Sequence, residues 1–215
     1  MTSHLPAPPD TGTPDDEPGR RARKRQQTAD RLVAVAFELF AAHGYANVTM
    51  EQIAAAADVA KGTLYNHFPV KEALVRHRLH ADLATHLPGL LAALPAGAGC
   101  AERLRAFLHA SAAYSTRQRD YLPYYIHYRL SQPLGELNGA NRSGLDQVYV
   151  SLLSDGQASG EIDRRHAPAL LADMLQFMHL STLLRWLATP GLELADAFDD
   201  MLDLFLHGCA AGEKP

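Results

Sequence analysis

Residues 48–74, VTMEQIAAAADVAKGTLYNHFPVKEAL, decide how the rest of the chain is read. Thr49 followed by Gln52 has the pattern of a capping box, in which hydroxyl and amide satisfy each other's backbone N–H groups. A helix is therefore expected from about Met50 to Ala57, with four successive alanines allowing close packing. Asp58-Val59-Ala60 interrupts it, Lys61 to Phe68 forms a second and very short helix, and Pro69 ends that one. A helix of about two turns is unstable alone in water, so this one must be braced from behind. Leu64 and Phe68, four apart, face inward with Ile53 and Val59, which leaves Lys61, Thr63, Tyr65, Asn66 and His67 on the outer face. Two helices joined by a tight turn, the second presenting its N-terminal end outward, is the geometry that lays a recognition helix in the major groove of DNA. Only the first turn has to reach base edges, so a short helix is sufficient.

The sequence upstream completes the unit. In TADRLVAVAFELFAAHG, residues 28–44, Leu32, Val35, Ala36, Leu39 and Phe40 share one helical face, and Gly44 is a left-handed stop. RRARKRQ, just before it, places five positive charges within Arg20–Arg25. Residues 1–19, rich in Pro, Asp, Gly and Thr, offer almost nothing to bury and are expected to form a disordered tail. The formal charge of −4 is unevenly spread: residues 20–80 carry +5, against −4 before them and −5 after. A basic segment within an acidic protein suits a local polyanion contact, because phosphates attract Lys and Arg whatever the base sequence. Arg20, Arg21, Arg23, Lys24 and Arg25 either follow the minor groove or the backbone, or form a solvated run.

With 47 % hydrophobic and 20 % charged residues over 215 positions, the composition is that of a soluble globular protein. No apolar run approaches membrane-spanning length, and acids and prolines occupy the place of a signal peptide, so a cytoplasmic location is expected. Cys100 and Cys209 lack metal-site spacing and are expected to be reduced thiols. Beyond a fourth helix, from Lys71 to about Leu87, helical periodicity continues over residues 101–118, 122–130, 138–159, 168–189 and 192–210, with no strand alternation. The last two helices are apolar on more than one side, through residues such as Leu170, Met174, Phe177, Trp186, Phe198 and Leu202. Pairing them across a symmetric homodimer as a four-helix bundle buries both faces; the alternative is a monomer with two central core helices.

ELFAAHGYANVTMEQIAAAADVAKGTLYNHFPVKEAL resembles the DNA-binding region of the tetracycline-repressor family of bacterial transcription regulators, with the KGTLYxxF and KEAL segments in register. The likeness runs from Thr28 to about Val75. It implies an all-α fold: an N-terminal three-helix helix-turn-helix DNA-binding domain over residues 20–74, and a helical ligand-binding and dimerisation domain over residues 75–215. It also implies a repressor that binds a near-palindromic operator as a homodimer and is released by a small-molecule effector. Carried onto matching positions, Lys61 and Gly62 bring the helix terminus to the DNA backbone, and Thr63 and Asn66 reach bases or adjacent phosphates. Thr49, Tyr65, His67 and Lys71 hold phosphates. Two residues depart from the family pattern: Asp58 stands where glycine is frequent in the turn, and Ala60 where serine commonly caps the recognition helix.

For the effector, YLPYYIHY supplies Tyr121, Tyr124, Tyr125, His127 and Tyr128, and other helices add Phe107, Tyr114, Phe177, Met178 and Trp186. A wall of aromatic rings and hydroxyls would suit a mostly apolar ligand with a few polar groups; the alternative at each position is an ordinary core or surface aromatic residue. His77 and His80 are neighbours on the fourth helix and could in principle share a metal, but Asp82 is poorly placed to join them. No HExxH, GxSxG or phosphate loop is present, so no enzymatic activity, metal or cofactor is expected. The rival readings are an effector-independent regulator and a helical interaction adaptor, the latter without salt-dependent DNA affinity.

Overall fold

The computed structural model describes residues 17–132 and 144–208. The regular elements among them are all helical: α1 (Glu17–His43), a short 3₁₀ turn (Tyr45–Asn47), α2 (Met50–Ala56), α3 (Lys61–His67), α4 (Lys71–Ala92), α5 (Cys100–Arg117), α6 (Leu122–Leu130), α7 (Leu145–Ser159), α8 (Pro168–Ala188) and α9 (Leu194–His207). They divide into two compact units between Leu74 and Val75.

In the first unit Leu32, Val33, Ala36 and Phe40 of α1 are buried together with Ile53 and Ala54 of α2 and Leu64 of α3. Gly44, at φ 79°, stops α1. The capping box at the start of α2 forms in full: Thr49 Oγ1 accepts from the Gln52 N–H at 3.2 Å, and Gln52 Oε1 accepts from the Thr49 N–H at 2.8 Å. Asp58 makes the turn at φ 51°, the sole non-glycine residue in the left-handed region among the described residues, which a short polar side chain tolerates. The Arg31 guanidinium donates to the Ala57 carbonyl and ties the end of α2 to α1.

Two boundaries differ from the sequence-based expectation. Helix α1 begins at Glu17, so Glu17–Gly19 belong to it and not to a disordered tail, and the basic run Arg20–Arg25 lies on exposed turns of the same helix. Nothing between Gly19 and Gly44 breaks the helix. Helix α4 passes through Pro88 and ends at Ala92 instead of near Leu87. The proline ring is exposed, while Leu83, Leu87 and Leu90 keep a half-buried stripe on the other side, so side-chain burial carries the helix past the lost N–H. The rest of the expected tail, residues 1–16, together with residues 138–143 of the seventh helix and Cys209, lies outside the described residues.

In the second unit α5 packs on α7 and α9, and α8 on α7 and α9. Leu104, Phe107, Tyr149, Leu152, Leu175 and Phe198 fill the space between them. Gly99, the N-cap of α5, has no side chain to offer, and Glu161 replaces it by accepting the Cys100 N–H at 2.6 Å. Beside it the buried Cys100 thiol donates to the Leu152 carbonyl at 3.3 Å, and burial followed by the nearby Glu161 pushes its pKa up to about 11. Arg105 links α5 to Asp199 and Asp203 of α9 at 3.0 and 2.9 Å, a partly exposed pair of contacts worth little singly. Among the described residues no helix is long and apolar enough to cross a membrane.

Candidate nucleic-acid interface and effector cavity

Helix α3 starts after Ala60, whose φ of −62° and ψ of 143° are those of an N-cap, yet no side chain caps it. Leu64 and Phe68 are buried and hold the helix to the unit, with Val59 half-buried. Lys61, Gly62, Tyr65 and Asn66 are exposed; Thr63 and His67 are half-buried. Beyond its own helical turn, a Cβ added at Gly62 would meet none of the described residues within 4 Å. Glycine in a helix costs about 0.5–1 kcal/mol relative to alanine, and nothing among the described residues repays its presence here.

Glu51, in the first turn of α2, organises the free face. Its Oε1 lies 3.8 Å from Lys61 Nζ and accepts from the Tyr65 hydroxyl at 3.3 Å. The backbone N–H of Glu51 itself, then Lys61 and Tyr65, holds the carboxyl below its usual pKa. Both partners are in open solvent, where such contacts exchange readily. Thr49 is exposed, with its oxygen already accepting in the capping box. Lys71 differs from the free phosphate ligand that the sequence suggests: its ammonium donates to the carbonyls of Tyr45 and Val48 at 2.6 and 2.7 Å and lies 4.2 Å from the centre of the Tyr45 ring. It clasps the α1–α2 connection, and two of its three protons are spent there.

A cavity of about 500 Å³ lies within the second unit, walled by α4, α5, α6, α7 and α8. Of the residues expected to line it, Phe107, Tyr114 and Tyr125 do so. Tyr124, His127, Tyr128, Phe177 and Trp186 do not, and neither do Tyr121 and Met178. On α6 the buried positions are Leu122 and Ile126, with Tyr125 beside them, so the helical period turns His127 out to solvent. Tyr128 instead faces the Arg76 guanidinium, 5.9 Å from its ring centre. Phe177 is 65 % exposed, while Trp186 is buried with the Arg119 guanidinium over its ring at 4.2 Å. Met178 lines a smaller groove between α8 and α9.

The polar part of the wall contains residues that sequence reasoning did not assign to it. His179 Nδ1 is 2.6 Å from the Tyr149 hydroxyl, and both residues are buried. His80 Nε2 is 3.2 Å from the Tyr125 hydroxyl, which also accepts from Arg129 Nη1 at 3.2 Å, so that ring nitrogen is engaged by a phenol. Burial first, then the positive charges of Arg76 and Arg129, lowers the His80 pKa to about 4; burial and then Arg129 lowers that of His179 to about 4. The signal for His179 was present in the sequence: it falls in step with Leu175, Thr182 and Trp186, the buried stripe of α8.

The model of the tetR family of bacterial regulatory proteins matches residues 32–77. The HTH-type transcriptional regulator TcmR of Streptomyces glaucescens is 45% identical over 64 residues, 30% of this chain and 28% of that protein, so this match spans little more than a quarter of TcmR. The HTH-type transcriptional repressor DhaR of Mycobacterium sp. (strain GP1) is 28% identical over 81% of this chain and 89% of its own. Among solved structures, that of Thermus thermophilus FadR, a transcriptional repressor in complex with lauroyl-CoA, superposes with a TM-score of 0.70 at 26% identity, covering 87% of this chain and 97% of FadR.

Proposed function

Because this chain belongs to the tetR family of bacterial regulatory proteins and is thus a DNA-binding transcriptional regulator, we propose that it represses as a homodimer on a near-palindromic operator. The observation that carries the reading of the interface is Gly62: an exposed helical glycine that no neighbour among the described residues requires fits a surface against which a phosphate backbone must come close. Thr63 and Asn66 follow on the same helix as base-reading residues, and Lys61, Tyr65, His67 and Thr49 as phosphate ligands. A phosphate arriving at Lys61 and Tyr65 displaces them from Glu51. Lys71 acts chiefly by positioning the segment before α2.

Two copies join through the outer faces of α8 and α9, where Leu170, Met174, Phe177, Leu184 and Leu204 are exposed. Such a two-fold pairing sets recognition helices about 34–36 Å apart. T. thermophilus FadR is complexed with lauroyl-CoA, and a small-molecule effector of its own is the proposed occupant of this chain's cavity. Helix α4 contributes Lys71–Leu74 to the first unit and Leu79, His80, Leu83 and Leu87 to the cavity wall, which makes it the proposed coupling element. The effector has to bind the DNA-free geometry better, and DNA then weakens effector binding by the same factor.

The test is a titration of the full chain against duplex DNA flanking its own gene, at several salt concentrations, with and without metabolite extract. Specific, salt-dependent binding that Asn66→Ala and Thr63→Ala weaken, and that extract reverses, is the expected result. Binding to no duplex at low salt would end the reading in favour of an interaction adaptor.

A further inference from the structure

The equipment of the cavity narrows the chemistry of the effector, an inference that rests on the reading of this cavity as the effector site. We propose that it takes an uncharged, largely hydrocarbon molecule bearing hydroxyl or carbonyl oxygens, which the imidazole N–H groups of His179 and His80 receive. Leu79, Leu83, Phe107, Leu122 and Leu183 supply apolar wall, and the volume of about 500 Å³ is that of a site for a drug-sized molecule.

The Tyr149 hydroxyl is fully buried, and among the described residues its hydrogen bond is the one to His179 Nδ1. Were the imidazole to donate, the phenolic proton would be stranded in the core, so the phenol donates and the ring keeps its own proton on Nε2. Tyr149 thereby orients a donor for a ligand oxygen. At His80 the Tyr125 oxygen already accepts from Arg129, and the cation favours directing the phenolic proton at His80 Nε2, which leaves the His80 ring proton on Nδ1. Both rings stay neutral at physiological pH, because burial and the neighbouring guanidiniums oppose a further positive charge.

Charged ligands are poorly served by the same wall. No carboxylate lines the cavity among the described residues, so an ammonium would find no counter-ion. Among the described residues Arg117 is the sole Lys or Arg lining the cavity and is itself exposed; Arg76 and Arg129, whose charges reach these rings, stand outside the lining, against the Tyr128 ring and on the Tyr125 hydroxyl, and the neutral His80 and His179 offer an anion no charge. A hydrocarbon without oxygen would leave the donors unpaired on binding.

Calorimetric titration of the full chain at pH 7.5 with four probes of one size tests this: 1-naphthol, naphthalene, 1-naphthoate and 1-naphthylmethylammonium. Naphthol is expected to bind about tenfold more tightly than each of the others, the net value of one hydrogen bond. In His179→Phe the naphthol preference over naphthalene should collapse; His80→Phe reads the same ratio should the first variant fail to fold, as its melting curve will tell. Equal binding of naphthol and naphthalene, or tighter binding of either ion, would overturn the proposal. An operator-release assay separates it from the underlying reading. Selective naphthol binding without release removes the effector role while the ligand class stands; release by naphthoate or the ammonium with naphthol inert keeps that role and overturns the class.

Discussion

Ala60→Ser isolates the one weak joint of the recognition helix. The backbone at residue 60 already has N-cap geometry, φ −62° and ψ 143°, so a serine needs no rearrangement to offer its hydroxyl to the first-turn N–H groups. Replacing alanine by serine at an N-cap typically gains about 1 kcal/mol. Here part of that gain is already taken, because the Thr63 N–H donates to the Ala60 carbonyl at 2.9 Å and the first turn is open to water. The expected stabilisation is therefore in the lower part of the range, about 0.5–1 kcal/mol. For a single transition of a chain this size it raises the melting temperature by about 1–4 °C. A helix that is better formed before binding also tightens operator binding, by a factor of about two to five at about 1.4 kcal/mol per tenfold. Calorimetric melting and operator titration at fixed salt, on both proteins, read the two effects. Identical melting temperatures and affinities would refute the capping argument; a raised melting temperature with unchanged affinity would refute only the claim that fraying of α3 limits binding.

Lys71→Met removes a charged donor from the Tyr45 and Val48 carbonyls and should lower stability by about 2 kcal/mol in urea titrations. The salt dependence of DNA affinity should shift by well under one, whereas a drop of about one in that slope would return Lys71 to the phosphate contacts. For His179 the folded pKa of about 4 lies below the unfolded 6.5, so the unfolded chain binds more protons between these values and stability, complete above pH 6.5, is lost as pH falls toward 4. The ceiling is about 3 kcal/mol, with His80 adding less because it is partly exposed. Urea midpoints that do not move between pH 7 and pH 5, above the carboxylate range, would contradict the neutral buried imidazole. Gly156→Ala would push a methyl to within 2.6 Å of Cys100 Sγ and 2.7 Å of Ile162 Cγ1, costing about 1–3 kcal/mol; an unchanged melting temperature would show that α5 and α7 move apart freely. Phe177→Glu puts a charge at the centre of the exposed face of α8 and should give a monomer by sedimentation with greatly weakened operator binding. A persistent dimer would place the interface elsewhere.

The first unit was legible because its instructions are local. A capping box four residues long, a glycine at φ 79° and an aspartate at φ 51° each act within one turn, and the sequence carries the residue types these conformations require. The start of α1 was misread for the opposite reason: composition argues for a tail, but nothing interrupts the backbone hydrogen bonding upstream of the apolar stripe, and the helix simply continues. Pro88 failed as a stop because a proline on the exposed side loses to apolar burial on the other.

The cavity was only partly legible, and the split within α6 shows why. YLPYYIHY announces an aromatic wall, but choosing Tyr125 over Tyr124, His127 and Tyr128 needs the rotation of a nine-residue helix about its axis. That rotation shows in the burial of Leu122 and Ile126, which only the folded chain decides, and one step of 100° separates cavity from solvent. On α8, longer and apolar on several sides, both faces look alike until burial separates Ala172, Leu175, His179 and Trp186 from Leu170, Met174, Phe177 and Leu184. A histidine in the first set is the telling residue. It keeps its place in an apolar stripe only because Tyr149 occupies one ring nitrogen, and a polar group kept at that cost beside a cavity is best explained by what the other nitrogen meets there.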